Sequence, residues 1–209
     1  MARPAPNELV SAEPMIPVPG IARFPIELTP PLDFDAERLE TWPQVEGCLE
    51  WVAGRLWYMP PFGDRQGKTV VDLATVLGVW VRSHADYEAG TNEAGMRLGD
   101  DTRGADGAVW RRADAGPDTG GLVFVPPVLA AEVAGRYAGE PALREKAHWY
   151  LEHGVAVVWL LLPSQREVLV LTAEGDSRHG IGATLPPHPA LPGLTPAVAD
   201  LFWQISRPG

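Results

Sequence analysis

The chain has 209 residues, a single cysteine and a formal net charge of −10 at neutral pH. That length suits one domain able to bury roughly 70% of its unfolded surface, so stability does not require disulfide staples. The acidic balance argues against a protein that grips a polyanion over its whole surface, because phosphate contacts need clustered Lys and Arg. A local basic cluster can still act within a Debye length of about 8 Å. The candidates are Arg111 with Arg112 and Arg136 with Arg144, although paired arginines are most often solvated surface. Cys48 alone makes no internal disulfide, and no charged, apolar leader opens the chain, which together point to the cytoplasm. The longest apolar run, VAVVWLLLP at 155–163, falls well short of the roughly 20 residues that span a bilayer, so it reads as a core strand and no membrane partner is expected.

Residues 1–32 are dense in proline, which blocks helix and central strand, and they read as an extended arm able to wrap the domain or a neighbouring subunit, leaving a homodimer open. The remainder, 33–209, carries no convincing internal boundary and reads as a single domain. A short helix is expected in DFDAERLETW, with Asp33 or Asp35 capping its start. LEWVAGRLWYMPP follows as two strands joined at Ala53-Gly54, where glycine supplies the positive φ of a tight hairpin. Between Lys68 and Arg82, apolar residues at 70, 73, 74, 77, 80 and 81 follow a 3.6 period and predict a buried helix. Strand-like pieces recur near 91–98, 106–110, 122–125 and 128–134, separated by Gly, Asp and Pro. EPALREKAHWYLEHG places Leu143, Ala147, Tyr150 and Leu151 on one helical face and ends at Gly154, a suitable cap. VAVVWLLLP and EVLVLTAEG add two strands, the first apolar enough to be covered on both faces. The sum is an α/β architecture in which a mixed sheet contains a βαβ-like unit.

The most informative stretch is PPVLAAEVAG, where Glu132 sits inside an apolar strand-like run. Burying an unpaired carboxylate costs several kcal/mol, so such a group is normally paired, hydrogen-bonded or bound to a metal. Alternation puts Ala130, Glu132 and Ala134 on one face of that strand, and the small neighbours leave room for an ion and its waters. Asp106 opens the strand-like DGAVW and can reach a cleft. Two carboxylates of this kind suit Mg²⁺ or Mn²⁺. Lys146 flanks the apolar face of its helix, where it either orients a nucleophile or simply snorkels past the core edge. Glu50, opposite Leu49 and Trp51 in the hairpin, is either a further acidic group of the site or a solvated glutamate. The five histidines show no metal-ligand spacing, and no phosphate loop or nucleophile elbow is present.

Taken in order, LEWVAGRLWYMPP, a helix, MRLGDDTRGADGAVW, PPVLAAEVAG, LREKAHWYLEHGVAVVWLLLP, EVLVL and LPGLTPAVADLFW resemble the bacterial Uma-type family of restriction-endonuclease-like proteins, within the PD-(D/E)XK nuclease superfamily. The resemblance spans residues 33–203 and rests most on Glu132-Val133 and on the run from Lys146 through Tyr150, Gly154, Trp159 and Pro163. It implies a central mixed sheet flanked by helices, a metal held by Asp106 and Glu132, roles for Glu50 and Lys146, and hydrolysis of DNA phosphodiester bonds. The chain departs from that pattern at four places. Ala105 replaces the proline before Asp106, Ala134 stands where a lysine is usual, Gly135 replaces a hydroxyl residue, and Gln66 lies near the place of a histidine. Lys146 is then the substitute for the lysine missing at 134. The leading expectation is a Mg²⁺- or Mn²⁺-dependent endonuclease. The alternative is a catalytically silent nuclease fold that acts by binding through its sheet edge, proline arm or exposed tryptophans.

Overall fold

The computed structural model describes residues 23–207, so the first 22 residues of the expected proline-rich arm lie outside the described residues. The end of that arm supplies β1, Ile26–Leu28, which pairs antiparallel with β3 at one edge of the sheet. At an edge, neighbouring prolines interrupt no ladder. The helix expected over 33–42 is reduced to a 3-10 turn at Leu39–Thr41. Asp35 explains this: its carboxylate accepts the Glu37 N–H at 2.9 Å, and its carbonyl accepts from Thr41 Oγ1 and Trp42 Nε1. Local side-chain bonds thus replace the helical ladder.

The hairpin forms as expected, with β2 at Cys48–Val52 and β3 at Arg55–Met59. Its turn needs two left-handed residues, Ala53 at φ 51 and Gly54 at φ 74, and the Ala53 N–H is held by Asp101 Oδ1 at 2.8 Å. Helix α1 runs from Asp64 to Arg82 and buries Leu73, Leu77 and Trp80. β4, Tyr87–Leu98, and β5, Asp101–Arg111, make a long hairpin, so Asp106 lies within a strand that starts five residues before it. A single turn, α2, follows at Arg112–Ala115. The strand expected at 122–125 is not formed; Val123 makes only an isolated bridge to Met96.

β6, Leu129–Val133, is joined through α3, Glu140–Glu152, to the parallel strand β7, Val157–Leu162. β8, Glu167–Thr172, and β9, Gly175–Gly180, complete a nine-stranded mixed sheet in the order β1-β3-β2-β5-β6-β7-β8-β9, with β4 on β5. A 3-10 turn at Asp200–Phe202 and the short α4, Trp203–Ser206, close the chain. Alternation divides the core as the sequence suggested. Leu129, Ala131, Val133, Val157, Trp159 and Leu161 pack toward α1 and the C-terminal segment, whereas Ala130, Val158, Leu160 and Leu162 pack toward Leu143, Ala147 and Tyr150 of α3. Glu132 therefore emerges on the α3 side, where Lys146 can meet it. No described helix is long and apolar enough to cross a membrane.

Candidate active site

The four residues singled out in the sequence converge on one cavity of about 340 Å³. Lys146 is its centre: Nζ lies 2.7 Å from Glu50 Oε1 and 2.9 Å from Glu132 Oε1, and it donates to the Gly104 carbonyl at 2.7 Å. The first two contacts are ion pairs and the third is a hydrogen bond. They also explain how α3, inserted between the parallel strands β6 and β7, serves the hairpin: its lysine spans from β6 to β2 across the start of β5. Asp106 is held differently, its Oδ2 accepting the Val133 N–H at 2.7 Å where the β5–β6 ladder ends. The side chains of Glu132 and Asp106 are buried, with residue exposures of 5% and 6%.

Three groups of the site were not read from the sequence in these roles. The Tyr150 hydroxyl donates to Glu132 Oε1 at 2.7 Å; the signal was available, because Lys146 and Tyr150 are four apart and share a helical face. Arg103 lies over the Trp149 ring at 4.6 Å and reaches Glu50 Oε2 at 3.4 Å. Glu93 comes from a β-bulge in β4, where Asn92 and Glu93 take left-handed φ values of 60 and 61. Its side chain lies over Gly104, where a Cβ would meet the Glu93 carboxylate at 2.7 Å, and it accepts the Cys48 thiol proton at 2.9 Å. Burial, together with the Glu93 charge, pushes the Cys48 thiol well above its ordinary value, so this cysteine is not an activated nucleophile.

Glu50, Glu93, Asp106 and Glu132 thus share one cavity, which the exposed Glu145 also lines, and among the described residues Lys146 and Arg103 are the counter-charges that line it. Burial raises the Glu132 carboxyl to about 7, against the pull of Lys146 and reinforced by Asp106 and Glu50. Burial likewise raises Asp106 to about 6, with the Glu93 charge adding to it. Glu93 is raised as well, again by burial first. Lys146 is the reverse case: burial would lower it, but Glu132 and Glu50 outweigh burial and hold the ammonium well above its usual value.

The excess of carboxylate is what a divalent cation would relieve. Asp106 Oδ1 and Glu132 Oε2 accept no hydrogen bond from a described residue, so each carboxylate keeps one oxygen available. Among the described residues no three His, Cys, Asp or Glu side chains are gathered as a ready-made metal cage. Two carboxylates with water completing the shell suit Mg²⁺ or Mn²⁺, which keep several waters and commonly take one or two protein carboxylates. The residues present fit such an ion.

Two departures noted in the sequence prove to be coupled in space. Gln66, near the start of α1, donates to the Val133 carbonyl at 3.2 Å, and its amide occupies the space a side chain at Gly135 would need. At Ala134 the backbone N–H bonds to the Leu161 carbonyl, and the cation of the site comes from α3.

Residues 36–200 match the sequence profile of a family described as "Uma2: Putative restriction endonuclease". A solved structure from Anabaena variabilis, titled a putative nuclease belonging to DUF820, superposes with a TM-score of 0.69 at 18% identity, covering 79% of this chain and 97% of that one. At that identity the likeness establishes a shared fold. No curated protein matches the chain.

Proposed function

The chain belongs to the Uma2 family, and from that premise we propose that it is a metal-dependent endonuclease that hydrolyses DNA phosphodiester bonds. The observation that carries this reading is the placement of Lys146 Nζ within 2.7 Å of Glu50 and 2.9 Å of Glu132, in the same cavity as Asp106. Asp106 and Glu132 would hold Mg²⁺ or Mn²⁺ through the oxygens left free by Val133, Tyr150 and Lys146. When bound, such an ion supplies Lewis-acid polarisation of a phosphoryl oxygen and a lowered pKa for water beside it.

The remaining steps belong to the chain. Tyr150 and Lys146 share Glu132 Oε1 and so fix the carboxylate's orientation, which pre-organises the site. The Lys146 ammonium stays charged at neutral pH and lies where negative charge grows as water adds to phosphorus. Glu50 is oriented by Lys146, Arg103 and the Gly104 N–H, and it accepts the proton of the attacking water as the phosphorus–oxygen bond to the leaving group breaks. Lys146 does the work expected of a lysine at 134, reaching the site from the helix instead of the strand.

Cleavage of single-stranded and duplex DNA in low-salt buffer with Mg²⁺ or Mn²⁺ tests this. Glu132→Gln is expected to lower the rate by at least ~100-fold. Equal background from wild type and variant would leave a nuclease fold that acts by binding.

A further inference from the structure

The carboxylate floor occupies only part of the cavity. Much of the rest is an apolar wall from Trp57 of β3, Phe62 of the β3–α1 connection, Tyr137 of the β6–α3 connection and Leu143 of α3, with Gln66 and the exposed Glu145 as the polar groups at its margin. Phe62 and Tyr137 are each 41% exposed, so two large rings face solvent beside a buried acidic floor. Both are held. Phe62 lies against α1 at Gly67, where a Cβ would come within 3.3 Å of its ring, and Tyr137 packs on Phe24 with ring centroids 4.8 Å apart. The exposed Arg136 puts its guanidinium 5.8 Å from the Tyr137 ring centroid, setting positive charge beside an aromatic face.

We propose that this aromatic wall stacks an unpaired nucleobase next to the carboxylate floor, so that the site takes single-stranded DNA and not intact duplex. The proposal rests on the hydrolytic reading above and adds the substrate form. Size favours it: about 340 Å³ lies at the low end for small-ligand sites, room for one nucleotide but not for a base pair within a helix. Charge favours it too. Among the described residues the two cations lining the cavity, Lys146 and Arg103, both lie against Glu50, and the chain carries −10 overall, so clustered cations for two phosphate backbones are not provided. Base–aromatic stacking supplies affinity without them, and any base offers a π face. Arg136 then meets a phosphate of the same strand.

Fluorescence anisotropy of a labelled single-stranded oligonucleotide of mixed sequence and of its duplex tests this with the full chain, in low salt with Ca²⁺. The single strand is expected to bind at least ~10-fold more tightly. Phe62→Ala and Tyr137→Ala should each weaken single-strand binding by at least ~5-fold, the effect of losing one stacking partner, whereas Tyr137→Phe should retain it. Both rings are exposed, and circular dichroism confirms that the alanine variants fold. Duplex binding as tight as single-strand binding, absence of single-strand binding, or alanine variants that bind like wild type would each overturn the proposal. Failure of the hydrolytic reading alone looks different: wild type then binds the single strand through Phe62 and Tyr137 yet cleaves nothing with Mg²⁺ or Mn²⁺.

Discussion

Individual side chains carry opposite burdens in this site. Lys146 neutralises carboxylates that would otherwise be buried unpaired, and removing one partner of such a cluster typically costs 3–5 kcal/mol, about what we expect for Lys146→Ala in urea denaturation near neutral pH. Part of that loss should return in mildly acidic buffer, where Glu132 takes up a proton. A loss that is unchanged on acidification would show that packing, not charge, is what the lysine provides. Gly135 and Gln66 form the second case. Gly135→Ser forces a side chain into the Gln66 amide and should destabilise by about 1–3 kcal/mol, whereas the same change in a Gln66→Ala background should cost much less. Additive effects in this double-mutant cycle would sever the link between the two departures. Asp72 shows that a buried acid is not by itself a site: both its oxygens are taken by Gln204, and it simply ties α1 to the C-terminal turn.

Elements decide which residues meet. The β4 bulge delivers Glu93 by holding two non-glycine residues in the left-handed region, at a cost of about 1 kcal/mol each. Glu93→Gly removes the strain at position 93 and one crowded carboxylate together, so it should raise stability by about 1–2 kcal/mol in thermal unfolding near neutral pH. A less stable variant would mean that the Cys48 hydrogen bond outweighs both. The same bulge explains why Glu93 was illegible in the sequence: nothing local marks a bulge in YEAGTNEAGMRL, and its close neighbour Gly104 lies on the next strand. By contrast Glu132 and Asp106 were legible as candidates, because strand alternation and a charge inside an apolar run are local signals, whereas spacing left Lys146 and Glu50 open and the family resemblance is what pointed to them. Strand β9, GDSRHG, was missed because it has no apolar face. It is an exposed edge held by ion pairs, with Arg178 reaching Glu167 and Glu140 while Arg144 reaches Asp176. Of the candidate basic pairs, Arg144 is thus absorbed by this network, and Arg136 keeps its place beside Tyr137.

For the whole molecule, the cluster couples folding to protons and to cations. Glu132 and Asp106 have folded values of about 7 and about 6, above their ordinary values of 4.5 and 3.8, so the folded protein binds more protons than the unfolded chain between those limits. Stability is therefore greatest toward the acidic end of that window and declines as pH rises through the folded values, by a few kcal/mol in total. Thermal unfolding of the metal-free protein should show Tm falling from about pH 5 to about pH 8. A flat or rising Tm would mean that the carboxylates are not protonated as their burial requires. A divalent cation should reverse the trend, stabilising most at the alkaline end, where protons no longer compete.

Calorimetric titration of Mn²⁺ into the full chain, beside Asp106→Asn and Glu132→Gln, tests most directly whether this carboxylate cluster is a metal-dependent hydrolytic centre. Saturable binding by wild type, weakened at least ~10-fold in both variants, is the expected result. Binding that persists unchanged in both variants, or wild-type heats no larger than dilution, would contradict it.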